Sequence, residues 1–250
     1  MANLSHAQFS LLQLSIEVFQ QEIARLRLNL TFERDFDKLV SVLIQGGVKV
    51  LNPSFDPNSN PIGKDDFWLN VTDEDGVTVA CIAARIYETP DFTDLVASGT
   101  LFHPRGLRAF VGDQQVEVLP TKRPISGVIN YAGGLWVDRR WRKQGLALIL
   151  PYLSRSLAVR NLGADFSCGY HLRSLALSAL PLEVYGYAHQ ELSYRGYYPP
   201  AQGYEEMHLG YINLGESLWR IETLPEHPLY PILMRADPGI MIADPFLELA

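Results

Sequence analysis

"LWVDRRWRKQGLALIL", residues 135–150, is the stretch on which the reading of this chain turns. An apolar run gives way to Arg139, Arg140, Arg142 and Lys143, then to Gly145, and then becomes apolar again. The pattern predicts a strand ending near Val137, a short basic turn, and a helix from about Gly145 to Leu162 closed by Gly163. Leu146, Leu150, Leu153 and Leu157 form its expected buried stripe, and Pro151, past the first turn, predicts a kink. The first N–H groups of a helix have no internal acceptor and lie at the positive end of its dipole. A glycine there lets an anion approach the main chain closely. Strand, basic glycine turn and helix together therefore read as a diphosphate site. A solvated basic loop ahead of an ordinary helix fits the spacing equally well. Neither a G-x-x-x-x-G-K-[ST] run nor a G-x-G-x-x-G run is present.

Working outward, Leu12, Ile16, Phe19, Ile23 and Leu26 mark one face of a long N-terminal helix. A second helix is expected from about Phe32 to Ile44, ended by Gly46 and Gly47. "NPSFDPNSNPIGKDD", from Asn52, reads as a loop. "FWLNV" and "VTVACIAARIY" flank an Asp75–Gly76 turn and predict a hairpin whose second strand is covered on both faces. "FVGDQQVEVL" predicts another hairpin, and Gly133 and Gly134 mark a bulge, or a place where another backbone approaches closely, in the strand "GVINYAGGLWV". A strand "ADFSCGYH", a helix from Ser174 to about Tyr185 broken at Pro181, and a strand pair around "PPAQG" follow. The proline-containing tail after Leu214 is expected to wrap the surface. The reading divides the chain into an N-terminal helical segment (1–48), a core (49–214) with an insertion around 89–126, and the tail (215–250).

The bulk properties narrow the function. With 250 residues, 47% hydrophobic and 20% charged, the chain can bury a sizeable core. A net charge of -7 argues against a broad nucleic-acid surface. Two cysteines, Cys81 and Cys168, imply no disulfide framework. The start has no secretory pattern and no apolar run spans a bilayer, so a cytoplasmic protein without membrane association is expected, and the sequons at Asn29 and Asn70 read as chance matches. Cys168 and His171 have C-x-x-H spacing, but no second cluster completes a zinc site, and an odd offset on a strand puts the two on opposite faces. No metal is expected. His103, His189, His208 and His227 read as structural or surface residues.

The segment from Val137 to Leu148 resembles the acetyl-CoA binding motif of the GNAT superfamily of N-acetyltransferases, Q/R-x-x-G-x-G/A after a strand. Arg142, Lys143, Gln144, Gly145, Leu146 and Ala147 match it position for position. The resemblance implies an α/β (mixed α+β) fold: a central, mostly antiparallel twisted sheet flanked by helices, here with an added N-terminal helical segment. It implies an acyl-CoA-dependent N-acyltransferase that moves acetyl from acetyl-CoA to a small-molecule or peptide amine by direct attack. Backbone groups of Leu135, Trp136 and Val137 would pair with the pantetheine arm, and amides from Lys143 through Leu148 would hold the pyrophosphate. Arg139, Arg140 and Lys143 are candidates for the nucleotide's outer phosphate on grounds of charge alone. For the general acid the resemblance points to Tyr185, with Tyr187 and Tyr194 as competitors. Glu88, Glu183, Asp138 or an ordered water are candidates for the base.

Three departures from the family pattern stand out. The segment from Glu88 to Ile125 separates the hairpin from the motif strand, no first strand is visible ahead of the first helix, and "YGY" at Tyr185 is a loose match. A non-catalytic acyl-CoA binding or regulatory protein on the same scaffold is the second reading, and a hydrolase or partner-binding protein without a CoA site the third. A homodimer is compatible with the sequence.

Overall fold

The computed structural model describes residues 4–226. Its elements, in chain order, are α1 (His6–Arg25), β1 (Asn29–Glu33), α2 (Phe36–Gln45), β2 (Phe67–Thr72), β3 (Thr78–Thr89), α3 (Phe92–Ala97), α4 (Leu107–Val111), β4 (Val116–Val118), β5 (Gly127–Val137), α5 (Leu146–Leu162), β6 (Phe166–Leu172), α6 (Arg173–Ala176), β7 (His189–Tyr198), β8 (Gly203–Asn213) and α7 (Leu214–Thr223). The eight strands form one sheet in the order β1-β2-β3-β5-β6-β8-β7-β4. Every pairing is antiparallel except that of β5 with β6.

Local chemistry accounts for most of these elements. A capping box between Ser5 and Gln8 opens α1, and its apolar stripe is buried as the spacing requires. Asp35 caps α2 by accepting from the Lys38 amide, and Gly47 beyond its end takes φ +80°. The β2–β3 hairpin turns at Gly76, φ +78°. β3 is nearly all buried because α1 and α5 cover one face of the sheet and α2 with its following loop the other. α5 is buried on most of its circumference, and Leu157 is only half-buried, so the leucine stripe understates how central this helix is. Gly163 closes it in the left-handed conformation, its amide bonded to Val159 and that of Ala164 to Ala158, as in a Schellman cap.

The structure corrects three expectations. Phe32 does not start a helix: Asn29–Glu33 is a strand pairing with β2, inside the segment read as helical. A five-residue edge strand with an irregular burial pattern gives no clear alternation to read. "FVGDQQVEVL" is not a hairpin. Its first part ends α4, and Val116–Val118 pairs across the sequence with β7. The start of the supposed tail is the amphipathic helix α7, opened by a capping box between Asn213 and Glu216. The rest of the tail lies outside the described residues. No described helix is long and apolar enough to cross a membrane.

Candidate active site

The site begins where two parallel strands part. β5 and β6 pair only at Ile129, Asn130 and Tyr131, against Phe166, Ser167 and Cys168, yet β5 runs on to Val137 and β6 to Leu172. Gly169 stands at the fork. A methyl group on it would lie 2.7 Å from the Ala132 carbonyl oxygen and 2.7 Å from the Tyr187 hydroxyl. On its other side β5 carries one residue more than β3 between the pairs Cys81–Trp136 and Ala83–Gly133. Gly134, φ +62°, absorbs this bulge, one of the two readings that the glycine pair offered.

A cavity of about 240 Å³ runs through the fork. Residues 132–135 of β5 and Tyr170 and His171 of β6 all line it. Consecutive strand residues point to opposite faces, so the space penetrates the sheet. On the α5 face its walls are Leu135, Pro151, Tyr185 and Tyr187. On the α2 face they are Val40, Leu43, Val48, Val50, Leu51 and Phe55, with Asn52 and Asp56. This second wall is firmly seated. Phe55 stacks on Tyr131 at 5.3 Å, and Asn52 Nδ2 donates to the Tyr131 hydroxyl at 2.7 Å. Arg85, 4% exposed, sits in ion-pair contact with buried Asp66 at 2.5 Å and donates to the carbonyls of Ser54 and Pro61.

The basic turn ahead of α5 has the predicted form. Asp138 caps a 3₁₀ turn at Arg139–Trp141 and pairs with Arg140, whose hydrogen bond holds the carboxyl below its ordinary range. Gly145 is the N-cap of α5, at φ +83°, with no side-chain cap bond. Among the described residues the amides of Gln144, Gly145, Leu146 and Ala147 have no protein acceptor. The Leu148 amide differs from the expectation: it already donates to the Gly145 carbonyl at 2.9 Å, in a tight first turn. The Gln144 side-chain oxygen is buried without a partner. Of the strand residues expected to meet a pantetheine arm, Leu135 lines the cavity. Trp136 and Val137 line a second cleft instead, with Arg139, Arg142 and the Gly76 turn. The Trp136 indole donates to the Gly46 carbonyl and packs beneath α2.

Of the candidate acids and bases, the cavity gathers some and not others. Tyr185 and Tyr187 both reach it, from the turn after the Leu180–Val184 π-helical segment. Burial raises the Tyr185 hydroxyl to about 12 and pushes that of Tyr187 higher, so both are protonated donors at neutral pH. Arg155, buried in α5, fixes this turn by donating to the carbonyls of Tyr185 and Gly186 (2.9 and 3.3 Å) and lies over the Tyr187 ring. Tyr194 is not part of the site: it is fully buried in the opposite cluster, with its hydroxyl given to the Tyr197 carbonyl. Glu88 and Glu183 are exposed, and neither lines the cavity. Asp138 belongs to the second cleft.

One cavity residue was set aside by the sequence reading. His171, 6% exposed, lies 5.3 Å from the Tyr187 ring and 6.1 Å from that of Tyr185, measured between centroids. Its Nδ1 is buried and unpartnered, and neither ring nitrogen bonds to a described residue. Burial, with the His208 charge opposite, lowers its pKa to about 4, so the ring is neutral at pH 7. Its spacing from Cys168 drew attention only as a metal pattern, and those two side chains do lie on opposite faces.

No family model and no curated protein matches the chain. Among solved structures it is similar to Arabidopsis thaliana NAA60 in complex with acetyl-CoA (TM-score 0.46, 12% identity, covering 74% of this chain and 100% of that one). It is also similar to spermidine N-acetyltransferase from Vibrio cholerae in complex with CoA and spermine (TM-score 0.41, 8% identity, covering 77% and 98%).

Proposed function

We propose that the chain is an acyl-CoA-dependent N-acyltransferase of the GNAT type, moving acetyl from acetyl-CoA to an amine by direct attack. One observation carries the reading: four consecutive amides without acceptors, at Gln144, Gly145, Leu146 and Ala147, head a long helix whose Pro151 lines a cavity that passes between two parting parallel strands. Four unsatisfied donors at the positive end of a helix suit a diphosphate. Arg139 and Arg142, in the adjoining cleft, supply positive charge for the nucleotide end. The unpaired edge of β5 at residues 132–135 is the place for an extended arm to add as a strand.

In this reading the thioester enters from the α5 face and the amine from the α2 face. The two meet at the fork, beside the close approach of Gly169, the Ala132 carbonyl and the Tyr187 hydroxyl. Tyr187, with its hydroxyl at the fork, gives a proton to the departing thiolate, and Tyr185 is its nearest alternative. A main-chain N–H of the β5 bulge is suited to steady the developing oxyanion. The test is thermal. Saturating acetyl-CoA should raise Tm by several degrees, because it binds only the folded chain, and Gly145→Glu should abolish the rise by filling and charging the anion seat. An unchanged melting curve for the unsubstituted protein would overturn the assignment.

A further inference from the structure

The wall of the cavity carries a single charge. Among the described lining residues there is no lysine or arginine, and Asp56, on the α2 side, is the only carboxylate. The other polar groups are committed or neutral. Asn52 donates to the Tyr131 hydroxyl and accepts from the Ser54 amide. Tyr170 shares its hydroxyl with Ser193 at 2.9 Å. His171, Tyr185 and Tyr187 are uncharged at pH 7. The rest of the α2-side wall is apolar and includes Val40, Leu43, Val48 and Val50.

Asp56 is held in place. Its Oδ1 accepts from the amide and side chain of Asn58 (3.0 and 3.2 Å), and its Oδ2 from the Ser59 hydroxyl at 2.7 Å. Accepting hydrogen bonds favours the charged form of a carboxylate, and its two oxygens offer about four lone-pair sites. Three are used, so one on Oδ2 is left for a ligand. The preceding residue, Phe55, is buried against the fork: it stacks on Tyr131 at 5.3 Å, and a methyl group added to Gly133 would overlap its ring. Arg85 secures the same loop through the carbonyls of Ser54 and Pro61. A half-buried, fixed anion therefore stands one residue from a side chain that touches β5 where the strands part.

This arrangement selects among amines. The nitrogen that attacks must be neutral when it does so, and a fixed anion suits a second nitrogen that keeps its charge throughout. A methylene chain gains from burial against the apolar wall. An acceptor bearing a carboxylate would face Asp56 with no cation in the lining to offset the repulsion and the lost hydration. We propose that the acceptor is an aliphatic diamine without a carboxylate, and that Asp56 determines this specificity by holding the ammonium that does not react. This rests on the acyl-transfer reading above and names the substrate class of the same site. Asp56 takes no part in the bond changes.

The test uses three acceptors built on one chain of five methylenes: 1,5-diaminopentane, n-hexylamine and 6-aminohexanoate, whose far ends are ammonium, methyl and carboxylate. Thiol release from acetyl-CoA is followed for each, beside the acetyl-CoA melting shift. The expected kcat/KM is about tenfold higher for the diamine than for n-hexylamine, and lowest for 6-aminohexanoate. Asp56→Asn, which keeps an acceptor for Asn58, should shrink the first ratio to within about threefold, chiefly by raising the KM of the diamine. Asp56→Lys should place 6-aminohexanoate above the diamine. If acetyl-CoA raises Tm yet the diamine is not acetylated, or is not preferred, the substrate inference falls while the acyltransferase reading stands. If the preference survives Asp56→Asn, another group reads the charge and the inference also falls. If acetyl-CoA leaves Tm unchanged, both fall.

Discussion

At the scale of single residues the site is shaped by one buried imidazole and one missing side chain. His171 is held neutral by burial, so its pKa in the folded state, about 4, lies below the ~6.5 of an unfolded histidine. Between these values the unfolded chain binds more protons, and stability therefore falls as pH drops from about 6.5 to 4. The groups around the ring, Tyr185, Tyr187 and His208, supply no negative charge to offset this. The contribution is on the order of 3 kcal/mol at most. Urea unfolding at pH 7 and pH 5 should show a smaller loss for His171→Gln than for the unsubstituted chain; equal losses would contradict the assigned burial. Gly169 acts through space rather than chemistry. Gly169→Ala should push on the Ala132 carbonyl and the Tyr187 hydroxyl at once. Calorimetry should find acetyl-CoA affinity at least tenfold weaker, with far-UV circular dichroism unchanged. Sequence could not single out either residue: one of six histidines and one of nineteen glycines carry no local signal of where two strands separate.

At the scale of elements, α5 does three jobs. Its tip presents the unanswered amides, its body fills the centre of one core layer, and Arg155 on its flank holds the turn bearing Tyr185 and Tyr187. Arg155 has no carboxylate partner among the described residues, so its worth lies in the two carbonyls it satisfies and the rings it covers. Arg155→Met should lower stability by about 1–3 kcal/mol, because two buried carbonyls lose a donor while a buried charge is relieved. Its kcat should fall further than its acetyl-CoA affinity, and parallel thermal and kinetic measurements would separate the two effects. What could be read beforehand follows from periodicity and punctuation. α1, the β2–β3 hairpin and α5 carry long apolar repeats, the β7–β8 pair flanks a turn marked by proline and glycine, and all were legible. β1, β4 and α7 were not: the first two are short edge strands whose reason to exist is a distant partner, and a run of prolines drew attention past α7.

At the scale of the whole molecule, the candidate site is assembled from segments more than a hundred residues apart, from Val40 to Tyr187. The anion seat was legible because it is contiguous: its residues sit side by side in the chain and answer to one local rule. The cavity was not, because it is created by the sheet opening, and no short window of sequence contains an opening. The acidic surface and the cationic turn are likewise properties of different ranges, net charge for the one and four neighbouring side chains for the other. Pro151 connects these scales. It lines the cavity and has no N–H, so the Ala147 carbonyl four residues earlier gets no hydrogen bond from it. The helix thus leaves its ladder unfinished twice, with donors waiting at its tip and a rung missing one turn further in. A guest able to answer both would complete the helix from outside, so that part of the protein's own cohesion is on loan until the guest arrives.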